Sequence, residues 1–323
     1  MTGWPSLEAY GDTFTCYSAA MATWLAHEDE SWPAVLNPGL WLVVAPDGDR
    51  RFAFAHFPPG LRAELGLHRA GAEEPRGALV GVLSELERSG RVIVAGNGFH
   101  LPWHVAHGRR HVPHWFVLGG SPEAPVILDP FAATNELGVQ KPAHRPVDPT
   151  ELPTLLPALP RDDRVLALRE ILAFGDVTPA DDRPWQWFVR DGAGAVTAPD
   201  GPSGPDAVLE LAGHFRAHGQ EPDAYAQSDD IWSVARHRAF LVRRATRRAE
   251  LTGDAELGEW AREHGEPLVK RWGHMAPLLM QARLSLSAGR AASDSVPNTL
   301  EDLAARERAA AAAFPTRLDA GSI

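Results

Sequence analysis

Apolar residues recur along this chain with different periods, and each period marks a different kind of element. Between 76 and 90, Leu79, Val82, Leu83 and Leu86 fall on one stripe at helical spacing and Gly90 follows as a stop, which predicts a helix. Directly after it, and twice more downstream, come short runs bounded by Gly and Pro: Val92-Ile93-Val94-Ala95, Trp115-Phe116-Val117-Leu118 and Val126-Ile127-Leu128. Runs of that length, β-branched or aromatic, predict buried strands. A short helix is expected over Cys16 to His27, after the turn-like Tyr10-Gly11-Asp12-Thr13. Trp185 to Phe188 and Ala195 to Thr197, around Arg190-Asp191-Gly192, read as a hairpin. From Pro205 onward the period is helical: 206–218, 230–251, 256–285 with a break near Gly265-Pro267, and 300–314, bracketed by Pro297 and Pro315.

That order predicts an α+β fold. Residues 1–148 form a first domain with an antiparallel sheet packed on the helix that begins at Cys16. Residues 149–204 connect it to an all-helical region, 205–323. Pro142 to Pro160 holds six prolines, and this marks the exit from the first domain.

Composition narrows the setting. With 44% hydrophobic residues and 11 Trp the chain has ample material for a core. Met1 to Tyr10 lacks the basic and apolar pattern of a secretory signal, and no apolar run approaches the ~18 residues of a membrane span, so no membrane partner is expected. The single cysteine forbids an internal disulfide and suits a reducing cytoplasm. A formal charge of −11 argues against nucleic acid as the main partner.

That cysteine is also the first candidate for chemistry. By position alone a lone Cys reads as a small buried apolar residue, but Cys16 opens a helix, where the positive end of the dipole favours the thiolate. His114 opens the 115–118 strand and Asp129 closes the 126–128 strand. If the hairpin loop is Gly119 to Pro125, Leu118 pairs with Val126 and His114 faces Pro130. A shift of one residue would face His114 with Asp129 at ~5 Å between Cβ atoms. Nucleophile, base and orienting carboxylate then make a Cys16-His114-Asp129 triad. His111 is the alternative base. His100, His104, His107, His111 and His114 crowd fifteen residues, but no second Cys accompanies them and their spacing fits no zinc pattern, so no metal is expected and a solvated or substrate-facing loop is preferred.

These same segments resemble the butirosin-biosynthesis H protein family, acyltransferases with a papain-like N-terminal domain and a helical C-terminal domain. The resemblance runs through Cys16 and its Ala-rich helix, the Gly90 to Ala95 strand, Asn97 to Trp103, the His111/His114 pair and Asp129-Pro130-Phe131. It extends to Arg238-Ala239-Phe240-Leu241 and Lys270-Arg271-Trp272. Family members usually carry His before the nucleophile and Asp at the place of Asn97, where this chain has Thr15 and Asn97. Related cysteine peptidases place a Gln six residues before the Cys, where this chain has Tyr10. Tyr10, Thr15 and Asn97 are therefore the candidates for an oxyanion partner, with His111 beside them for substrate binding.

The resemblance implies transfer of an acyl group from a carrier-bound thioester to a small biosynthetic acceptor. The donor would be the phosphopantetheine thioester of an acyl carrier protein, and no intrinsic cofactor is implied. The residues alone say only acyl transfer. The same triad would serve an off-loading thioesterase, a carbon–carbon ring-closing cyclase or a cysteine peptidase or amidase, and an inactive papain-like binding module would keep the fold without the chemistry. On 230–251, Arg236, Arg243 and Arg247, joined by Arg244 and Arg248, line one stripe. A solvated face is the plain reading; the sharper one makes Arg243 and Arg247 a dock for an acidic carrier.

Overall fold

Each apolar run expected to be a strand is one wherever it falls among the described residues of a computed structural model of the chain, which are 7–28, 31–37, 39–46, 52–55, 61, 65–135, 137–159, 183–190, 200–225 and 227–315. Six strands form one antiparallel sheet: β3 (Leu67–Ala72), β4 (Arg91–Asn97), β5 (Pro113–Ser121), β6 (Ala124–Asp129), β9 (Ala143–Pro146) and β10 (Trp185–Arg190). Their order across the sheet is β3-β10-β4-β5-β6-β9. Two small hairpins flank it, β1 (Val43–Pro46) with β2 (Phe52–Ala55) and β7 (Ala133–Asn135) with β8 (Gly138–Gln140).

The central strands are covered on both faces, which is why their sequence shows continuous apolar runs instead of alternation. Val92, Val94, Phe116, Leu118 and Trp187 pack with Ala78, Val82 and Leu86 of the helix Pro75–Ser89. Ile93, Ala95, Trp115, Val117 and Phe188 face the other way, onto the helix Cys16–Ala26. We call these helices α3 and α1; α2 is the short turn Trp32–Leu36 between them. Residues Tyr17 to Leu25 of α1 are all buried, so this helix lies inside the molecule and its end holds Cys16 firmly. Gly90, at φ +70°, ends α3 in the left-handed conformation that a stop requires.

Three expectations need correction. The β5–β6 strands run on to Ser121 and Ala124 around a two-residue turn, so Leu118 pairs with Ile127 and not with Val126. Continued, that register sets Phe116 across from residue 129. His114 and Asp129 therefore share a face as diagonal neighbours, not as a directly opposed pair. Secondly, the segment expected to connect two domains supplies β10, inserted between β3 and β4. The hairpin partner expected over 195–197 lies outside the described residues. Thirdly, the N-terminal hairpin β1–β2 joins the helical core, where Leu42, Val44, Phe52 and Phe54 pack with Val208, Leu211 and Phe215. Chain order and packing layers thus do not divide at 148 or 205.

After the four-residue α4 (Leu152–Leu155), the later helices are α5 (Pro205–His218), α6 (Ser228–Thr252), α7 (Ala255–Trp260), α8 (Glu266–Gly273), α9 (Met275–Ser287) and α10 (Ser295–Ala312). The break expected near Gly265-Pro267 is a π-helical turn, Ala261–Gly265, that joins α7 to α8. Such a turn takes up the irregularity that a proline, lacking an N–H, imposes. Pro297 sits inside the first turn of α10, where a missing N–H costs nothing. At the centre, Arg238 of α6 pairs with Glu307 of α10 at 2.7 and 3.1 Å, both fully buried. Trp272 of α8 donates to the same carboxylate at 2.9 Å, and Arg238 also donates to the Trp41 carbonyl at 2.8 Å. The two C-terminal segments quoted for the family resemblance thus meet on one buried acid.

Candidate active site

Thr15 caps α1, accepting the Ser18 N–H at 3.1 Å while the Ser18 hydroxyl accepts the Thr15 N–H at 2.8 Å. This reciprocal capping box fixes the helix start, and Cys16 follows as its first residue. Cys16 is half-buried, with a hydrogen bond to His114. His114 and Asp129 are buried, and Nε2 of His114 lies 2.7 Å from Oδ2 of Asp129. With Nε2 so engaged, the ring presents Nδ1 to the thiol. Asp129 is itself held: the Trp103 indole N–H donates to Oδ2 at 2.9 Å and the Phe131 N–H to Oδ1 at 3.1 Å.

Burial by itself would keep His114 neutral. The charge and hydrogen bond of Asp129, then the hydrogen bond and charge of Cys16, outweigh it and push its pKa up to about 10. The arrangement therefore favours an imidazolium between two anions, Asp129 on one side and a Cys16 thiolate on the other. In such a pair the cation beside Cys16 favours its thiolate form.

The other expected site residues have different fates. Tyr10 is in the core, its ring 5.5 Å from Trp32 and 5.1 Å from Phe240, with burial raising its phenol pKa. The Thr15 hydroxyl serves the cap. The Asn97 amide holds His111, Nδ2 to Nδ1 at 2.8 Å, and accepts the Phe99 N–H at 3.1 Å. His111 stacks on Phe99 at 4.4 Å. The imidazole that touches His114 is His104, at 4.4 Å between ring centroids. Burial, with His111 and His107 nearby, holds His100 below the usual imidazole range. Among the described residues no group of three or more His, Cys, Asp or Glu is arranged to hold a metal.

The chain matches no family model and no curated protein.

The arginine stripe of α6 is mostly turned inward. Arg243 donates to the Ala9 carbonyl at 3.0 Å and pairs with Asp12, whose carboxyl it holds below the usual range. Arg244 donates to the carbonyls of Pro33 and Asn37. Arg247 is exposed. Of the two carrier-docking candidates, Arg243 is thus committed to the chain's own loop. Of the aromatic residues on the helices, Phe240, Trp260 and Trp272 are core, whereas Trp232 is half-buried and packs at the edge of the Cys16 cluster. Trp103 was invisible as a site residue in the sequence, since a lone Trp in a loop carries no signal. Among the described residues no helix is long and apolar enough to cross a membrane.

Proposed function

We propose that the chain is a papain-like acyltransferase of the butirosin-biosynthesis H protein type, working through an acyl-Cys16 intermediate. One observation carries this reading: a buried imidazole held between the chain's only thiol and a carboxylate that is itself locked by Trp103 and Phe131. A buried charged pair is costly to build, and a charged imidazole set beside a thiol supports nucleophilic chemistry at that thiol.

In this reading the Cys16 thiolate attacks the carbonyl carbon of a thioester while the Cys16 backbone N–H, at the start of α1, stabilises the developing oxyanion. As the carbon–sulfur bond to the donor breaks, His114 gives its Nδ1 proton to the departing thiolate. An amine or hydroxyl of a small acceptor then attacks the acyl-Cys16 carbon, His114 takes back a proton, and the thiolate is released. Asp129 holds the ring and offsets its charge throughout. The donor proposed is a phosphopantetheine thioester on an acyl carrier protein; Arg247 remains an exposed cation for its docking.

Incubation with acyl thioesters of N-acetylcysteamine and intact-mass spectrometry test this. An adduct of one acyl group that is lost in Cys16→Ala is the expected result. No adduct across a panel of short, branched and aromatic acyl donors refutes the enzyme and leaves an inactive binding module. Products formed with water or by ring closure would reassign the acceptor while keeping the acyl-enzyme.

A further inference from the structure

Arg236 lies on α6, outside the sheet and its covering helices, yet its guanidinium is tied to the loops that hold both ends of the site. One nitrogen, Nη1, donates to the carbonyls of Asp12, Phe14 and Ala132, the latter two at 3.0 and 2.9 Å. Phe14 stands two residues before Cys16, and Ala132 three residues after Asp129. The cation also lies 4.5 Å from the Trp232 ring centroid and 5.9 Å from that of Phe131, whose N–H holds Asp129.

The two loops touch directly as well. Ala132 donates to the Gly11 carbonyl at 3.1 Å, and a Cβ on Gly11 would meet the Pro130 carbonyl at 2.8 Å. Three carbonyl dipoles aimed at one point repel each other unless a positive charge sits there. Burial pulls the Arg236 pKa down to about 10, against the pull of Asp12, so the group remains cationic at neutral pH. Asp12 and Arg243 are its charged neighbours.

We propose that Arg236 is a positioning residue for the Cys16-His114-Asp129 site, setting the thiol-to-imidazole geometry through the Asp12–Phe14 and Pro130–Ala132 backbone. It makes the helical region part of the machinery: α6 fixes the distance between the turn that leads into the nucleophile helix and the turn that follows the acid. A thiolate–imidazolium pair depends on that distance, and an error of about 1 Å in such a site is worth ~100-fold in rate. The inference rests on the thiolate–imidazolium reading of Cys16 and His114.

Because Cys16 is the chain's only cysteine, its alkylation by iodoacetamide reports the thiolate without a substrate. An ordinary thiol titrating at ~8.5 is about one part in 100 thiolate near pH 6.5. Wild type is expected to alkylate at nearly its full rate at that pH, Arg236→Met roughly 10- to 100-fold more slowly with its profile moved toward that of a free thiol, and Arg236→Lys in between, because it restores the charge. Far-UV circular dichroism and urea midpoints confirm that the variants compared are folded. If Arg236→Met does not fold, Arg236→Gln, which keeps one amide donor, carries the comparison. A folded neutral variant with the wild-type profile overturns the positioning role alone. A wild-type profile like that of a free thiol overturns the ion pair itself, and the positioning role with it.

Discussion

Removing the thiol should change how stability depends on pH, and the size and sign of the change follow from the buried pair. His114 has a folded-state pKa raised from 6.5 to about 10. Its contribution to stability is therefore full below ~6.5 and is lost as the pH rises through about 10, at ~1.4 kcal/mol per pH unit. A Cys16 thiolate contributes with the opposite sign: the folded state has shed a proton that the unfolded thiol keeps until ~8.5. Between ~6.5 and ~8.5 these cancel, because the folded chain holds the imidazolium proton and the unfolded chain holds the thiol proton. Wild-type stability should be flat there, as far as this pair decides it, and decline only above ~8.5. In Cys16→Ala the thiol part is gone, and with it the share of the His114 rise that Cys16 supplies, while Asp129 still supports the charged ring; the decline begins near 6.5 and ends at a lower pH than in wild type. Across that window the variant should lose up to ~3 kcal/mol relative to wild type. Groups common to both proteins, such as Tyr10 and Arg236, drop out of the difference. Urea unfolding followed by Trp fluorescence, at half-unit pH steps and constant ionic strength, measures it. Parallel curves from 6.5 to 8.5 would show that Cys16 is a plain thiol and would refute the ion pair.

The remaining predictions concern the supports. Glu307→Ala strands the fully buried Arg238 guanidinium and should cost ~3–5 kcal/mol in urea unfolding, whereas Arg238→Met with Glu307→Leu should recover most of that; a single-variant loss under ~1 kcal/mol would refute it. Trp103→Phe keeps the edge-to-face contact with Phe116 but deletes the N–H that holds Asp129. It should cost ~1–3 kcal/mol of stability and slow acylation roughly 10-fold, both by direct assay, and wild-type acylation would remove Trp103 from the site.

What could be read from the sequence follows from what each residue type can hide. The strands 91–97, 113–121 and 124–129 were legible because both their faces are buried, which leaves an apolar run that no loop would carry. Their register was not. Ser121 and Ala124 are weak strand formers, so the hairpin reads as a long loop when it is a two-residue turn. Since faces alternate, that miscount set Pro130 across from His114, and only the one-residue shift brought Asp129 to its side. The strand at 185–190 was legible as a strand but not as a central one, because nothing local says that a segment so far along the chain inserts between β3 and β4.

The site divides in the same way. Cys16, His114 and Asp129 could be expected to meet because each stands at the end of an element where its residue type has a chemical reason to be. Tyr10 and Asn97 were drawn toward the same site by analogy of position alone, and the structure uses one as core and the other as a brace for His111. Arg236 shows the converse. On a helical wheel it belongs to a solvated stripe, and only the convergence of three carbonyls from two distant loops distinguishes it from its neighbours. Side-chain identity is written in the sequence; the unmet hydrogen-bonding needs of remote backbone are not, and a cation that satisfies them looks like surface until the loops are folded against it.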